Sequence, residues 1–118
     1  MAYHKPVLMT VAELPEYQRR AERLLSEDER RDIVAYLAAF PKEGDLIRGT
    51  GGIRKLRWGR SGRGKSGGVR VIYYFHSERM PLYLLTVFAK NERADLTQAE
   101  RNELAKLVKV LIKTALGD

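Results

Sequence analysis

Apolar residues in the first third of the chain recur at helical spacing. The pattern predicts a first helix over residues 14–25, with an apolar stripe formed by Tyr17, Ala21, Leu24 and Leu25. Ser26 and Glu29 have the spacing of a capping box, and Pro41 cannot continue a helix. We therefore expect a second helix between Ser26 and Pro41, antiparallel to the first.

The middle of the chain changes to β-branched and aromatic residues. Three strands are predicted, Ile53 to Trp58, Val69 to Phe75 and Leu82 to Phe88, separated by polar and glycine-containing connections. Consecutive strands of this kind most simply form an antiparallel meander. Residues 6–11 predict a short edge strand ahead of the helices, and the glycine-rich segment 41–52 predicts a loop.

A last helix is predicted from Gln98 to Leu116, because Thr97 and Glu100 form a second capping box and Gly117 suits a helix end. The order (β)ααβββα indicates an α+β fold. Its small, curved, mostly antiparallel sheet carries an N-terminal helical hairpin and a C-terminal helix. We expect the helices on one face of the sheet and an open second face. The length of 118 residues predicts a single domain, residues 1–118.

Charge narrows the choice of partner. The formal net charge is +7, and the segment from Arg48 to Lys65 holds seven cations and no acidic residue. A cationic surplus on a small protein favours an anionic partner, with nucleic acid first. No apolar run reaches the roughly 20 residues that span a bilayer, so we expect a cytosolic protein without membrane contact. With no cysteine and two separated histidines, neither a metal site nor another cofactor is expected.

The segment "GRSGRGKS", Gly59 to Ser66, satisfies the spacing of a nucleotide-binding phosphate loop. That loop must open a helix, yet the chain continues with two glycines and the strand-like "VRVIYYF". We therefore expect no bound nucleotide cofactor. The loop cations Arg60, Arg63 and Lys65 instead suit an irregular phosphate surface such as RNA, because arginine matches phosphate oxygens and glycine permits close approach.

Strand alternation places Lys55 and Arg57 on one side of the first meander strand, and Arg70 joins them if the other side is buried under helices. Three cations on rigid strands suit a phosphodiester. A partly desolvated lysine among arginines should have a lowered pKa and can act as a base, whereas arginine stays charged and stabilises a phosphorane. This chemistry permits RNA cleavage by the ribose 2′-hydroxyl without a metal.

The segments "GDLIRGTGGIRKLRW", "GKSGGVRVIYYF" and "YLLTVFAKNERADLTQAERNEL" together resemble the RelE/HigB family of bacterial toxin–antitoxin endonucleases, particularly its HigB-like branch. The resemblance covers nearly everything from Leu25 to Leu111. It implies a ribosome-dependent toxin that cleaves mRNA. It also implies a cognate antitoxin as partner, commonly one with a helix-turn-helix domain.

The resemblance also implies residue roles. Lys55 corresponds to the base, Arg57 and Arg70 to phosphate binders, and Lys90 to a further catalytic cation at the end of the third meander strand. Candidate RNA contacts are Arg54, Arg60, Arg63, Lys65, Tyr74 and Asn91. Two departures stand out: Asn91 replaces an arginine that follows the Lys90 position in relatives, and Thr97 lies where some members carry an aromatic residue.

Two other functions fit the same chain. ParE-like relatives share the fold but inhibit DNA gyrase without the cleaving cations, and a plain RNA-binding module would bind through the cations without cutting. The presence of Lys55, Arg57 and Arg70 together favours cleavage over gyrase inhibition. Asn91 and the missing downstream tyrosine leave the plain RNA-binding module open.

Overall fold

The computed structural model describes residues 8–59 and 68–117. Within these ranges the chain forms an α+β fold, as predicted. Its elements are β1 (Val11–Glu13), α1 (Pro15–Leu24), α2 (Glu27–Ala39), β2 (Asp45–Leu46), β3 (Ile53–Trp58), β4 (Val69–Tyr74), β5 (Leu82–Ala89) and α3 (Gln98–Leu116).

The strands form one sheet in the order β1-β5-β4-β3-β2. Strands β3, β4 and β5 are the predicted antiparallel meander. Strand β1 pairs with β5 in parallel, and β2 pairs with β3 in antiparallel. The sheet is thus mostly antiparallel, with one parallel edge.

Both edge strands differ from the sequence prediction. The sequence predicts a strand over residues 6–11, but β1 begins only at Val11. Residues 6 and 7 lie outside the described part of the chain. Strand β2 lies inside the predicted loop 41–52, and a turn with positive φ at Gly49 and Gly51 returns the chain to β3. These short strands follow from pairing with a distant partner, which local periodicity does not reveal.

Strand β5 contains one extra residue relative to β4. Ile72 lies opposite Thr86, whereas the next residue, Tyr73, lies opposite Leu84. Leu85 is therefore an unpaired bulge residue between two regular stretches of the ladder. Its side chain is buried on the same face as Phe88.

Apolar residues cover both faces of the sheet. One cluster joins the α1–α2 hairpin to one face and comprises Tyr17, Ala21, Leu25, Ile33, Leu37, Leu56, Val69, Val71, Tyr73, Leu82, Leu84 and Val87. The second joins α3 to the opposite face and comprises Ile47, Ile53, Ile72, Tyr74, Met80, Leu85, Phe88, Leu96 and Val108. The expectation of helices on one face only is therefore wrong. Strands β4 and β5 are apolar on both faces, and the apolar stripe of α3 covers the second.

Helix bounds follow local capping signals. Ser26 with Glu29, and Thr97 with Glu100, form reciprocal capping boxes at the starts of α2 and α3. Helix α3 ends at Gly117, whose φ of 77° is left-handed. Among the helices in residues 8–59 and 68–117, none has the length and apolar character needed to cross a membrane.

Tyr73 joins the sheet to the segment after α2. Its hydroxyl donates to the Pro41 carbonyl at 2.8 Å and accepts from the Gly44 N–H at 2.9 Å. The ring also fills the space beside Gly44, where a Cβ would lie 2.7 Å from a ring carbon. Tyr73 thus holds the chain that leads into β2 and β3.

Replacement of Tyr73 by Phe should lower the free energy of unfolding by about 1–3 kcal/mol, because it leaves the buried Gly44 N–H and the partly buried Pro41 carbonyl without their partner. Urea unfolding followed by the fluorescence of the single tryptophan, Trp58, measures this. Tyr74→Phe is the matched control, since Tyr74 is 4% exposed and its hydroxyl bonds no other described residue. Equal losses in both variants would contradict the assigned role of the Tyr73 hydroxyl.

Candidate active site

Two arginines face each other across the central strands. Arg57 of β3 lies directly opposite Arg70 of β4, on the side of the sheet that α3 packs against. Arg57 is exposed and Arg70 partly exposed, so α3 leaves both accessible. Like charges at directly opposed positions destabilise a sheet, and an anion bound between them relieves that repulsion.

Lys90 reaches the same place from the end of β5. Its N–H donates to the Gly68 carbonyl at 2.9 Å, two residues before Arg70. A cleft of about 210 Å³ is lined by Arg57, Trp58, Gly59, Gly68, Arg70 and Lys90. Among the ion pairs of residues 8–59 and 68–117, none involves Arg57, Arg70 or Lys90. We call this space the cation cleft, and its geometry suits a phosphate group.

Lys55 has a different environment from the cations of the cleft. It lies two residues before Arg57 on the same side of β3, level with Ile72 of β4. Its ammonium binds the Asp95 carboxylate at 3.3 Å, and its side chain is only 19% exposed. Arg101 of α3 binds the same carboxylate oxygen at 3.4 Å. Lys55 is therefore paired in the folded protein.

Asp95 stays ionised in this network. Burial by itself would raise the pKa of the carboxyl, but the Leu96 N–H, at 2.8 Å, and the charges of Lys55 and Arg101 outweigh burial and lower it. Each carboxylate oxygen thus has a defined donor. Asp95 is a fixed negative charge at the edge of a positive surface.

The connection from β5 to α3 is held at several points. Glu92 accepts from the Ala89 N–H at 2.9 Å. Arg93 binds both oxygens of Glu100 at 2.6 and 2.7 Å, and its guanidinium lies 4.5 Å from the centre of the Phe88 ring. The Arg93 bonds and charge are the main reason that the pKa of Glu100 is lowered. This connection fixes the backbone that carries Lys90 and Asp95.

Several predicted RNA contacts lie elsewhere or outside the described chain. Arg54 points to the hairpin side of β3 and donates to the carbonyls of Lys42 and Gly44 at 3.0 and 2.7 Å. Tyr74 is a core residue, 4% exposed, so its ring is covered by the α3 side of the core and offers no face for stacking on a base. Its assignment as a stacking residue is therefore corrected. Asn91 is exposed beside Lys90, and Arg60, Arg63 and Lys65 lie outside the described residues.

Sequence reasoning missed Asp95, Arg101 and Trp58 as neighbours of the cations. Asp95 and Lys55 are 40 residues apart, and their contact depends on α3 packing on the second face. No local pattern reveals such a pair. The sequence does indicate that Trp58 lies near the cations, because this residue directly follows Arg57. In the structure its ring lies edge-on to that of Tyr36, with ring centroids 5.6 Å apart.

The Asp95 network should make stability depend on acid pH. Because the pKa of Asp95 is lower in the folded protein than its ordinary 3.8, its contribution is present at neutral pH. It is lost as the pH falls below that ordinary value and through the lowered one. Asp95→Asn should therefore unfold at a lower temperature than the wild type at pH 7, and the gap should close progressively as the pH falls below 3.8.

Thermal unfolding from pH 2 to pH 7 measures this gap. Asp45→Asn is the matched control: Asp45 lies opposite Lys55 in the β2–β3 register but forms no ion pair with a described residue. A gap for Asp95→Asn that stays constant down to the lowest pH would contradict the network.

Comparison with known proteins gives the family. The family model of the RelE toxin of the RelE/RelB toxin–antitoxin system matches residues 16–117. The fold is similar to that of a free E. coli RelE toxin in which two arginines are replaced by alanine. The TM-score is 0.58 at 14% sequence identity, over 86% of this chain and 98% of that one. Since the family model spans most of the sequence, the chain belongs to the RelE family of toxins of toxin–antitoxin systems.

Proposed function

We propose that the cation cleft binds an RNA phosphodiester. The observation that carries this proposal is the Arg57–Arg70 pair, which is directly opposed and has no acidic partner among the described residues, with Lys90 lining the same cleft. Two guanidinium groups match the oxygens of one phosphate and keep their charge at every physiological pH. The pair is therefore arranged for an anion with at least two free oxygens.

The reaction that suits these residues is cleavage by the neighbouring ribose hydroxyl. The 2′-oxygen attacks the phosphorus and the 5′-oxygen leaves, which yields a 2′,3′-cyclic phosphate and a new 5′-hydroxyl. Negative charge accumulates on the phosphorane oxygens, where Arg57 and Arg70 stabilise it. Two lysines, Lys55 and Lys90, supply the groups that move protons. The chemistry uses the substrate's own nucleophile and needs no cofactor.

The substrate we propose is mRNA held in the ribosome, and the outcome is inhibition of translation in the cytoplasm. Family membership supports a toxin that is neutralised by an antitoxin. We further propose that this antitoxin carries a helix-turn-helix domain. The cleft is shallow and its walls come from one sheet end, so the ribosome is expected to present the mRNA strand and to complete the binding surface. The excess positive charge of the chain, +7, favours binding to such a particle.

Purified protein incubated with mRNA-programmed ribosomes should produce discrete cuts that are absent with mRNA alone. Arg57→Ala and Arg70→Ala should each slow cleavage about 100- to 1,000-fold, the loss typical for one group that stabilises a developing oxyanion. Primer extension on the mRNA locates the cuts, and single-turnover rates quantify the losses.

Lys106→Ala is the control, because Lys106 lies on α3, is 75% exposed and pairs only with Glu103 among the described residues. It should cleave at the wild-type rate. Ribosome binding without cleavage would indicate a plain RNA-binding module. Intact mRNA together with trapped gyrase–DNA complexes would indicate a gyrase inhibitor. Either result contradicts the proposed function.

A further inference from the structure

The two lysines lie on opposite sides of the arginine pair. Arg57, Arg70 and Phe88 occupy one level across β3, β4 and β5, and Lys55 lies one level away, beside Ile72 and Thr86. Lys90 lies one level away in the other direction, beside Gly68. Each level is two residues, or about 7 Å, along the strands. A phosphate held between Arg57 and Arg70 therefore has one lysine toward each end.

This arrangement matches the geometry of the proposed cleavage. Attacking and leaving oxygens lie roughly in line on opposite sides of the phosphorus. The group that removes the 2′-proton and the group that protonates the 5′-oxygen must therefore approach from opposite sides. Lys55 and Lys90 satisfy this condition, and the question is which lysine takes which task.

The charged groups around Lys55 indicate which lysine takes which task. The charged groups that face Lys55 are Asp45 of β2, Arg57 of its own strand, Asp95 of the β5–α3 connection and Arg101 of α3. Of these, Asp95 is the one in contact, at 3.3 Å. The Asp95 carboxylate pairs with the ammonium form of the side chain, and the ammonium is the form that donates a proton. Lys90 is exposed and has no carboxylate partner in the described part of the chain.

We propose that Lys55 is the general acid, Lys90 is the general base, and Asp95 is a positioning residue that holds Lys55 as a proton donor. The neutral amine of Lys90 takes the 2′-hydroxyl proton while the O2′–P bond forms. The P–O5′ bond breaks, its electron pair goes to O5′, and the Lys55 ammonium donates a proton to that oxygen. Exchange with water then restores both lysines. The roles differ from those implied by the family resemblance, and they rest on the proposed function.

A substrate whose leaving group needs no proton distinguishes the general acid from the general base. The probe is an mRNA with a single bridging 5′-sulfur at the mapped cleavage position, read on programmed ribosomes beside its 5′-oxygen counterpart. On the oxygen substrate, Lys55→Ala and Lys90→Ala should each slow cleavage by about 100-fold or more. On the sulfur substrate, Lys55→Ala should regain most of its rate, whereas Lys90→Ala should stay slow.

Asp95→Asn should also slow the oxygen substrate and regain rate on the sulfur substrate, a response that a purely structural residue would not give. In a Lys55→Ala background the same change should have no further effect, because both act through one proton. Asp45→Asn should cleave both substrates like the wild type. Lys55→Met, which keeps the aliphatic stem, replaces Lys55→Ala if that variant does not fold.

Rescue of Lys90→Ala instead of Lys55→Ala, or equal rescue of both, would overturn the division of roles while leaving the nuclease intact. An additive loss for Asp95→Asn in the Lys55→Ala background would overturn the positioning role of Asp95. If the wild type cuts neither substrate, the proposed function fails and this inference fails with it.

Discussion

Burial on both faces of β4 and β5 is the constraint on which the rest of the molecule depends. The hairpin covers Val69, Val71 and Tyr73 on one face, and α3 covers Ile72 and Tyr74 on the other. A shift of register by one residue would turn every one of these side chains to the opposite face. The apolar packing therefore specifies the register, and the register places Arg57 opposite Arg70. Hydrophobic packing thus holds Arg57 and Arg70 at directly opposed positions although their guanidinium groups repel each other.

The cations at this end of the sheet fall into two groups, those that pair with a carboxylate and those that do not. Lys55 and Arg101 share the carboxylate of Asp95, which is fixed in turn by the Leu96 N–H. Arg57, Arg70 and Lys90 have no comparable acid among the described residues. A protein that needed only stability would spread acids evenly among its bases. Among the described residues the cation cleft is thus left without an acid, which is the charge pattern expected of a site for a negatively charged ligand.

Much of this architecture could be predicted from sequence because its signals are local. The bounds of α3 follow from Thr97, Glu100 and Gly117, and all three lie within or beside the helix that they limit. Strand alternation and the predicted meander place Arg57 and Arg70 on the same face of the sheet. The position of α3, the strand β2 and the Lys55–Asp95 pair were missed because each depends on segments that meet only in the folded chain. Tyr74 illustrates the same limit: alternation gave its face correctly, but not the helix that buries it.

The bulge at Leu85 has a consequence for how this surface can change. One unpaired residue lies between Leu84 and Thr86. The side chains that follow it therefore lie on the opposite face of the sheet from the one that strict alternation from Leu84 would give them. If β5 kept Leu85 but alternated regularly without the bulge, Phe88 and Lys90 would lie on the hairpin side, with no change in the charge of the chain. The bulge therefore decides which face of the sheet the end of β5 presents on the α3 side. The location of Lys90 in the cation cleft thus depends on the backbone geometry of the strand as much as on the type of its residues.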